Sequence, residues 1–101
     1  MSRLVGFFTL FLYSFLGHAQ FTLSGTVTND QKEKLEFAII FVEGTNLSAA
    51  TVKNGSYLIE NVPAGNYIIN CSYLGYETSK QAISINENTR LDFTMIGTLY
   101  N

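Results

Sequence analysis

Along most of the chain apolar and polar residues alternate one by one, the period of a strand with one buried face. Phe21 to Thr28 alternates strictly and sets Phe21, Leu23, Gly25 and Val27 on one side. After the polar stretch Asn29 to Lys34, Phe37 to Val42 is a continuous apolar run, ended by Glu43-Gly44. Such a run predicts a strand buried on both faces or a strand of a sandwich core. A weaker strand is expected over Ala49 to Lys53. Asn54-Gly55 follows it and predicts a type I′ hairpin turn with positive φ at both residues. Ser56 to Val62 is then the returning strand, with Tyr57 and Ile59 on one face and Leu58 and Glu60 on the other. Pro63-Ala64-Gly65 predicts a second turn in which proline fixes φ and Gly65 takes the reversed dihedral. Asn66 to Leu74 sets Tyr67, Ile69, Cys71 and Tyr73 against Ile68, Asn70, Ser72 and Leu74, until Gly75 breaks the pattern. Ser79 to Ile85 and Thr89 to Ile96 complete the set. Seven short strands separated by turn signals predict an all-β, antiparallel sandwich.

The N-terminal residues break this rhythm. Arg3 precedes an apolar block, Leu4 to Leu16, and Gly17-His18-Ala19 places small residues three and one before a cut ahead of Gln20. This is the layout of a secretory signal peptide. The competing reading is a membrane span or a buried core helix. A span wants about 20 apolar residues, and this block is shorter and interrupted by Thr9 and Ser14. Residues 1–19 are therefore expected to be a cleaved signal and residues 20–101 one exported domain, with no transmembrane span in the mature chain. No cysteine follows the cut, so a lipid anchor at the new N-terminus has no acceptor.

Charge and cysteine usage narrow the chemistry. The net charge of the whole chain is −2, and removing Arg3 makes the balance more acidic. Basic residues are scattered rather than gathered into a stripe, which argues against nucleic acid as a partner. A single cysteine, Cys71, cannot close an internal disulfide, so packing must supply the stability. The one histidine, His18, leaves with the signal, and with it go the usual general base, zinc ligand and nucleophile partner. Cys71 sits mid-strand on the expected core face, where a thiol has a raised pKa and is inert; a reactive thiol is the alternative. Glu33 and Glu36, flanked by Lys32 and Lys34, read as a solvated loop rather than an acid/base pair. Carboxylates at calcium-loop spacing, a phosphate-binding glycine loop and a nucleophile elbow are all missing. No catalytic residue, metal or cofactor is expected. Three N-x-S sequons, at Asn46, Asn54 and Asn70, read as chance matches. The aromatic residues, Tyr100 at the C-terminus among them, are possible binding groups, but most lie on alternating strand faces where packing explains them. Tyr76 follows a strand-breaking glycine and is the candidate ligand or partner contact.

Several pieces then stand in a familiar order: Gly25-Thr-Val27, Ala38 to Thr45, Thr51 to Tyr57, Pro63-Ala-Gly65-Asn-Tyr67 and Leu74-Gly75-Tyr76-Glu77. Together they resemble the carboxypeptidase regulatory-like domain, a seven-stranded, prealbumin-like Greek-key sandwich, over about Phe21 to Ile96. The resemblance implies structural turns at Gly44, Asn54, Gly55, Pro63, Gly65 and Gly75, and no catalytic residue. Val52 stands where that family usually has an aspartate before the Asn-Gly turn, so the turn is expected to lack a side-chain acceptor. Such domains often follow the signal peptide of Bacteroidetes TonB-dependent outer-membrane receptors. The resemblance thus implies a periplasmic or outer-membrane-associated module, with an envelope protein or the remainder of such a receptor as partner. A fragment, a truncated product and a stand-alone domain are all compatible with the sequence. Carbohydrate binding is the alternative function.

Overall fold

The computed structural model describes residues 19–98. Residues 1–18 of the expected signal and Tyr100 lie outside them. Eight strands follow in order: β1 (Gln20–Asn29), β2 (Ile39–Val42), β3 (Ser48–Ala50), β4 (Ser56–Pro63), β5 (Gly65–Ser72), β6 (Ser79–Ile85), β7 (Thr89–Arg90) and β8 (Phe93–Met95). They form two sheets, one ordered β4-β1-β7 with β8 also on β1, the other β3-β2-β5-β6. The protein is thus an all-β sandwich, and the chain alternates between the sheets. β1 and β4 belong to one, β2, β3, β5 and β6 to the other, and β7 and β8 return to the first.

The one-by-one alternation decides which side chains enter the core, except in β4, where a bulge at Glu60 and Asn61 carries Val62 to the inner face. Leu23 and Val27 of β1, Ile40 and Val42 of β2, Tyr57, Ile59 and Val62 of β4, and Ile69 and Cys71 of β5 all point inward. Ile85, Phe93 and Met95 close the core. Full burial of one such aliphatic side chain contributes about 1.5–3 kcal/mol. Of the two alternatives for the Phe37–Val42 run, the sandwich-core strand is the one observed, and burial on both faces does not occur. Ile40 and Val42 are fully enclosed, whereas Ile39 and Phe41 alternate outward on an uncovered face.

Three further expectations are corrected. The segment Thr89 to Ile96 is two short strands, interrupted at Leu91-Asp92, and both pair parallel with β1. The interruption has a cause: the Leu91 N–H donates to the Ser24 carbonyl at 2.8 Å, and its carbonyl accepts the Tyr57 hydroxyl at 2.5 Å. Secondly, Asn54-Gly55 does not join a hairpin, because β3 and β4 lie in different sheets. The turn runs from Val52 to Gly55, closed by Gly55 N–H donating to Val52 C=O at 2.8 Å. Gly55 has φ +80°, while Asn54 is not in the left-handed region. This fits a turn followed by a left-handed glycine, the arrangement of three-residue loops. An acceptor is present after all, since Asn54 Oδ1 accepts the Ser56 N–H at 3.1 Å and the Ser56 hydroxyl at 2.6 Å.

Gly65 is the third correction. It has no positive φ, and the reversed dihedral of this region belongs to Asn61, at φ +62°. A Cβ on Gly65 would sit 3.3 Å from the Tyr67 ring, whose hydroxyl donates to the Pro63 carbonyl at 2.7 Å. Glycine lets the ring lie close across the backbone there, where a larger residue would have to push it aside. The hairpin between consecutive strands β2 and β3 instead turns at Gly44, φ +80°.

Candidate functional site

At the end of β1 the chain turns on one side chain. Asn29 is buried, and its Oδ1 accepts the backbone N–H groups of Gln31 at 2.9 Å and Glu33 at 3.0 Å. Asparagine suits this position because its side chain can substitute for a backbone acceptor within a turn. Its Nδ2 donates to Glu33 Oε1 at 2.7 Å and to the Tyr76 hydroxyl at 3.2 Å. One residue thereby fixes the Asn29–Lys34 loop and ties it to Tyr76, 47 positions away in sequence.

Tyr76 reaches this point because Gly75, φ +90°, ends the outgoing strand. Tyr76 N–H donates to Tyr73 C=O at 3.0 Å, and the two rings lie 5.5 Å apart at 57°. The following segment is held against the C-terminal end of the domain. Glu77 N–H donates to Ile96 C=O at 2.8 Å, and Thr98 N–H to Gly75 C=O at 2.9 Å. Between these loops lies an open cleft of about 790 Å³, lined by Asn29, Asp30, Glu33, Tyr76, Glu77 and Ile96 among others. Three carboxylates and no lysine or arginine line it, so its field favours hydrogen-bond donors and cations over anions. The half-buried Tyr76 ring forms part of its wall.

The remaining candidate residues do not gather there. Gly44, Asn54 and Gly55 serve turns outside this cleft, and Pro63 and Gly65 end β4 and begin β5, also outside it. Cys71 is enclosed in the core, and burial pushes its thiol up to about 11. A thiol so placed is a packing group rather than a nucleophile. Burial, followed by the nearby Asp92 charge, likewise raises the Tyr57 hydroxyl above its ordinary range. Among the described residues no three histidine, cysteine, aspartate or glutamate side chains stand together in a way that could hold a metal ion. No described helix is long and apolar enough to cross a membrane.

Asn29 is the neighbour of Tyr76 that was hidden in the sequence. It reads as one more polar turn residue, and only the approach of Tyr76 from a distant loop gives it a second role. The acidic character of the cleft has the same origin, since Asp30 and Glu33 meet Glu77 only through the fold.

Comparison with known proteins bears on this architecture. A family model described as CarboxypepD_reg-like domain matches residues 23–98. No curated protein matches the chain. Among solved structures, an interface mutant of the type II cohesin–X-dockerin complex from Acetivibrio cellulolyticus superposes with TM-score 0.67 at 24% identity. That match covers 74% of this chain and 56% of the other. BcpA, the major pilin subunit of Bacillus cereus, gives 0.66 at 16% identity, over 79% of this chain and 31% of that one. A putative carbohydrate binding protein from Pseudomonas aeruginosa gives 0.56 at 10% identity, over 77% and 90%. This chain therefore spans about half or less of the first two. At such identities the likeness is one of fold.

Proposed function

Since the chain belongs to the CarboxypepD_reg-like domain family, we propose that it is a non-catalytic, exported module that binds another protein by strand addition. Its setting would be a TonB-dependent nutrient-uptake receptor, in the periplasm or at the outer membrane. The N-terminal signal pattern and the family resemblance support that setting.

One observation carries the reading: the two long edge strands are protected unequally. β4 ends in Pro63, and its pairing with β1 shifts register opposite Glu60 and Asn61, with Asn61 at φ +62°. A bulge and a proline are devices that discourage further pairing. β6 has neither. Ser79 to Ile85 pairs with β5 without a register shift from Cys71↔Ser79 to Gly65↔Ile85, and Lys80 is its one charged residue. Its other edge has no strand partner among the described residues. The backbone groups along that edge match those of an extended partner segment. That neighbours in fold include a cohesin–dockerin complex and a pilin subunit agrees with a module built for assembly.

A small carbohydrate-binding module is the second reading, favoured by Tyr76 in its polar cleft and by the fold of the Pseudomonas aeruginosa protein. Against it, Tyr73 and Tyr76 meet at 57° and offer a sugar no flat stacking platform. Capture from detergent-solubilised envelope of the host, run beside a glycan array, separates the two. Recovery of a TonB-dependent receptor with a silent array supports strand addition. Glycan binding that disappears in Tyr76→Ala would replace it with the second reading.

A further inference from the structure

We infer that Gln20 closes into a pyroglutamyl ring, so that the exported chain begins with a neutral, blocked residue. This rests on the exported reading, in which Gly17-His18-Ala19 directs a cut ahead of Gln20. Such a cut turns the Gln20 amide nitrogen into a free α-amine. Glutamine is the residue whose side-chain amide carbon closes a five-membered ring with that nitrogen.

The structure leaves both reacting groups free. Gln20 opens β1 and is exposed, on the face opposite to the core residue Leu23. Successive backbone N–H groups of a strand point to opposite edges. Val27 N–H donates toward β4, to Gly55 C=O at 2.8 Å. Thr22 and Thr26 donate to the other side, to Asn88 Oδ1 at 2.9 Å and Asp92 Oδ1 at 2.8 Å. Gln20 stands two residues before Thr22, so its nitrogen also turns away from β4. On that side β7 begins only at Thr89, opposite Leu23, and no described strand meets the amine. Across from Gln20 on β4 stands Pro63, which has no N–H to pair.

Ring closure suits the fold and balances by itself. An α-amine has a pKa of about 7.7–8.0, so part of it is neutral and nucleophilic near neutral pH. Its lone pair attacks Cδ. The N–Cδ bond forms, the Cδ–Nε2 bond breaks, and Nε2 leaves as ammonia with the proton that the amine gives up. No oxidant, reductant or water is consumed. The ring removes an N–H that the β1 ladder does not use and fixes φ at the first residue of a strand, the position where a ring is tolerated. Phe21 N–H, which the alternation points toward β4, is untouched. The product has lost the terminal positive charge and presents no primary amine to an aminopeptidase. The site uses neither the β6 edge nor the Tyr76 cleft.

Mass spectrometry of the N-terminal peptide tests the proposal on the full chain, expressed in its host and purified as the host processes it. Free amines are labelled by reductive methylation before digestion, so that a ring formed during handling is not mistaken for one formed in the cell. The expected peptide begins at Gln20, carries no label on its α-nitrogen and weighs one ammonia less than the glutamine form. Gln20→Asn, for which the ring would have four members, should be cut at the same place, take the label and keep its ammonia. A labelled wild-type peptide beginning at Gln20 overturns the ring and leaves the exported reading standing. A chain that still begins at Met1 overturns both, and a cut elsewhere overturns the ring together with the cut site. An unlabelled α-nitrogen in both wild type and Gln20→Asn assigns the block to another modification and overturns the proposal as well.

Discussion

Gly25 and Leu91 approach so closely that a Cβ on Gly25 would lie 1.9 Å from the Leu91 carbonyl oxygen. That oxygen also accepts the Tyr57 hydroxyl, so strand β1, strand β4 and the break between β7 and β8 meet at one point. Gly25→Ala must push the Leu91 backbone away and is expected to cost about 3 kcal/mol. Gly97→Ala is the control, since its Cβ would find ordinary contacts at 3.8 Å; it should stay within about 0.5 kcal/mol of wild type. Urea denaturation of both variants makes the comparison.

Thr51 is fully buried, and its hydroxyl donates to Leu35 C=O at 2.6 Å while accepting Ala38 N–H at 2.9 Å. Thr51→Val keeps the shape and strands both backbone groups, at an expected cost of about 2–4 kcal/mol. Thr51→Ser keeps the hydroxyl and should recover part of that loss. The same denaturation measurement decides it.

Cys71 gives the protein an alkaline limit. Burial raises the folded thiol from 9.0 to about 11, so the unfolded chain releases this proton first. The stability linked to it is complete below pH 9.0 and is lost as pH rises toward about 11. Cys71→Val should flatten the stability profile in that window. The slope left over belongs in part to Tyr57, whose pKa is raised in the same sense.

Asp92 acts at the other end of the scale. Its slight burial would raise the carboxyl, but the Thr26 N–H at 2.8 Å, the Thr26 hydroxyl and Arg90 outweigh this and hold it below its ordinary value. A depressed pKa stabilises above the unfolded value, and the benefit disappears as pH falls through the folded one. Asp92→Asn should therefore melt below wild type at neutral pH, with the difference closing in acid. Melting curves over the acid range provide the check.

How much was legible in the sequence follows from the range of each interaction. Strict alternation in Phe21–Thr28 and the alternation of Tyr57 and Ile59 set the core faces of β1 and of the first half of β4, because a two-residue period depends only on neighbours. The bulge at Glu60 and Asn61, which turns Val62 inward, was not legible. The break at Leu91-Asp92 was hidden: it is set by Ser24, Thr26 and Tyr57, none of them nearby in sequence. Exposure of Ile39 and Phe41 was equally hidden, since a run of apolar residues does not say whether a second layer covers it. Nor do Phe37 and Asn61 advertise their left-handed backbones, as neither is glycine. Tyr76 stood out beside Gly75, but Asn29 and the acidic cleft needed two loops to converge.

The central claim, strand addition at β6, is best tested by placing proline in turn at two neighbouring positions, Ala82→Pro and Ile83→Pro. Successive backbone N–H groups along a strand point to opposite edges, so one proline removes a bond to β5 and the other removes only an outward donor. The first variant should lose stability. The second should melt like wild type and no longer retain the receptor from solubilised envelope. Undiminished capture by that stable variant would contradict strand addition at β6.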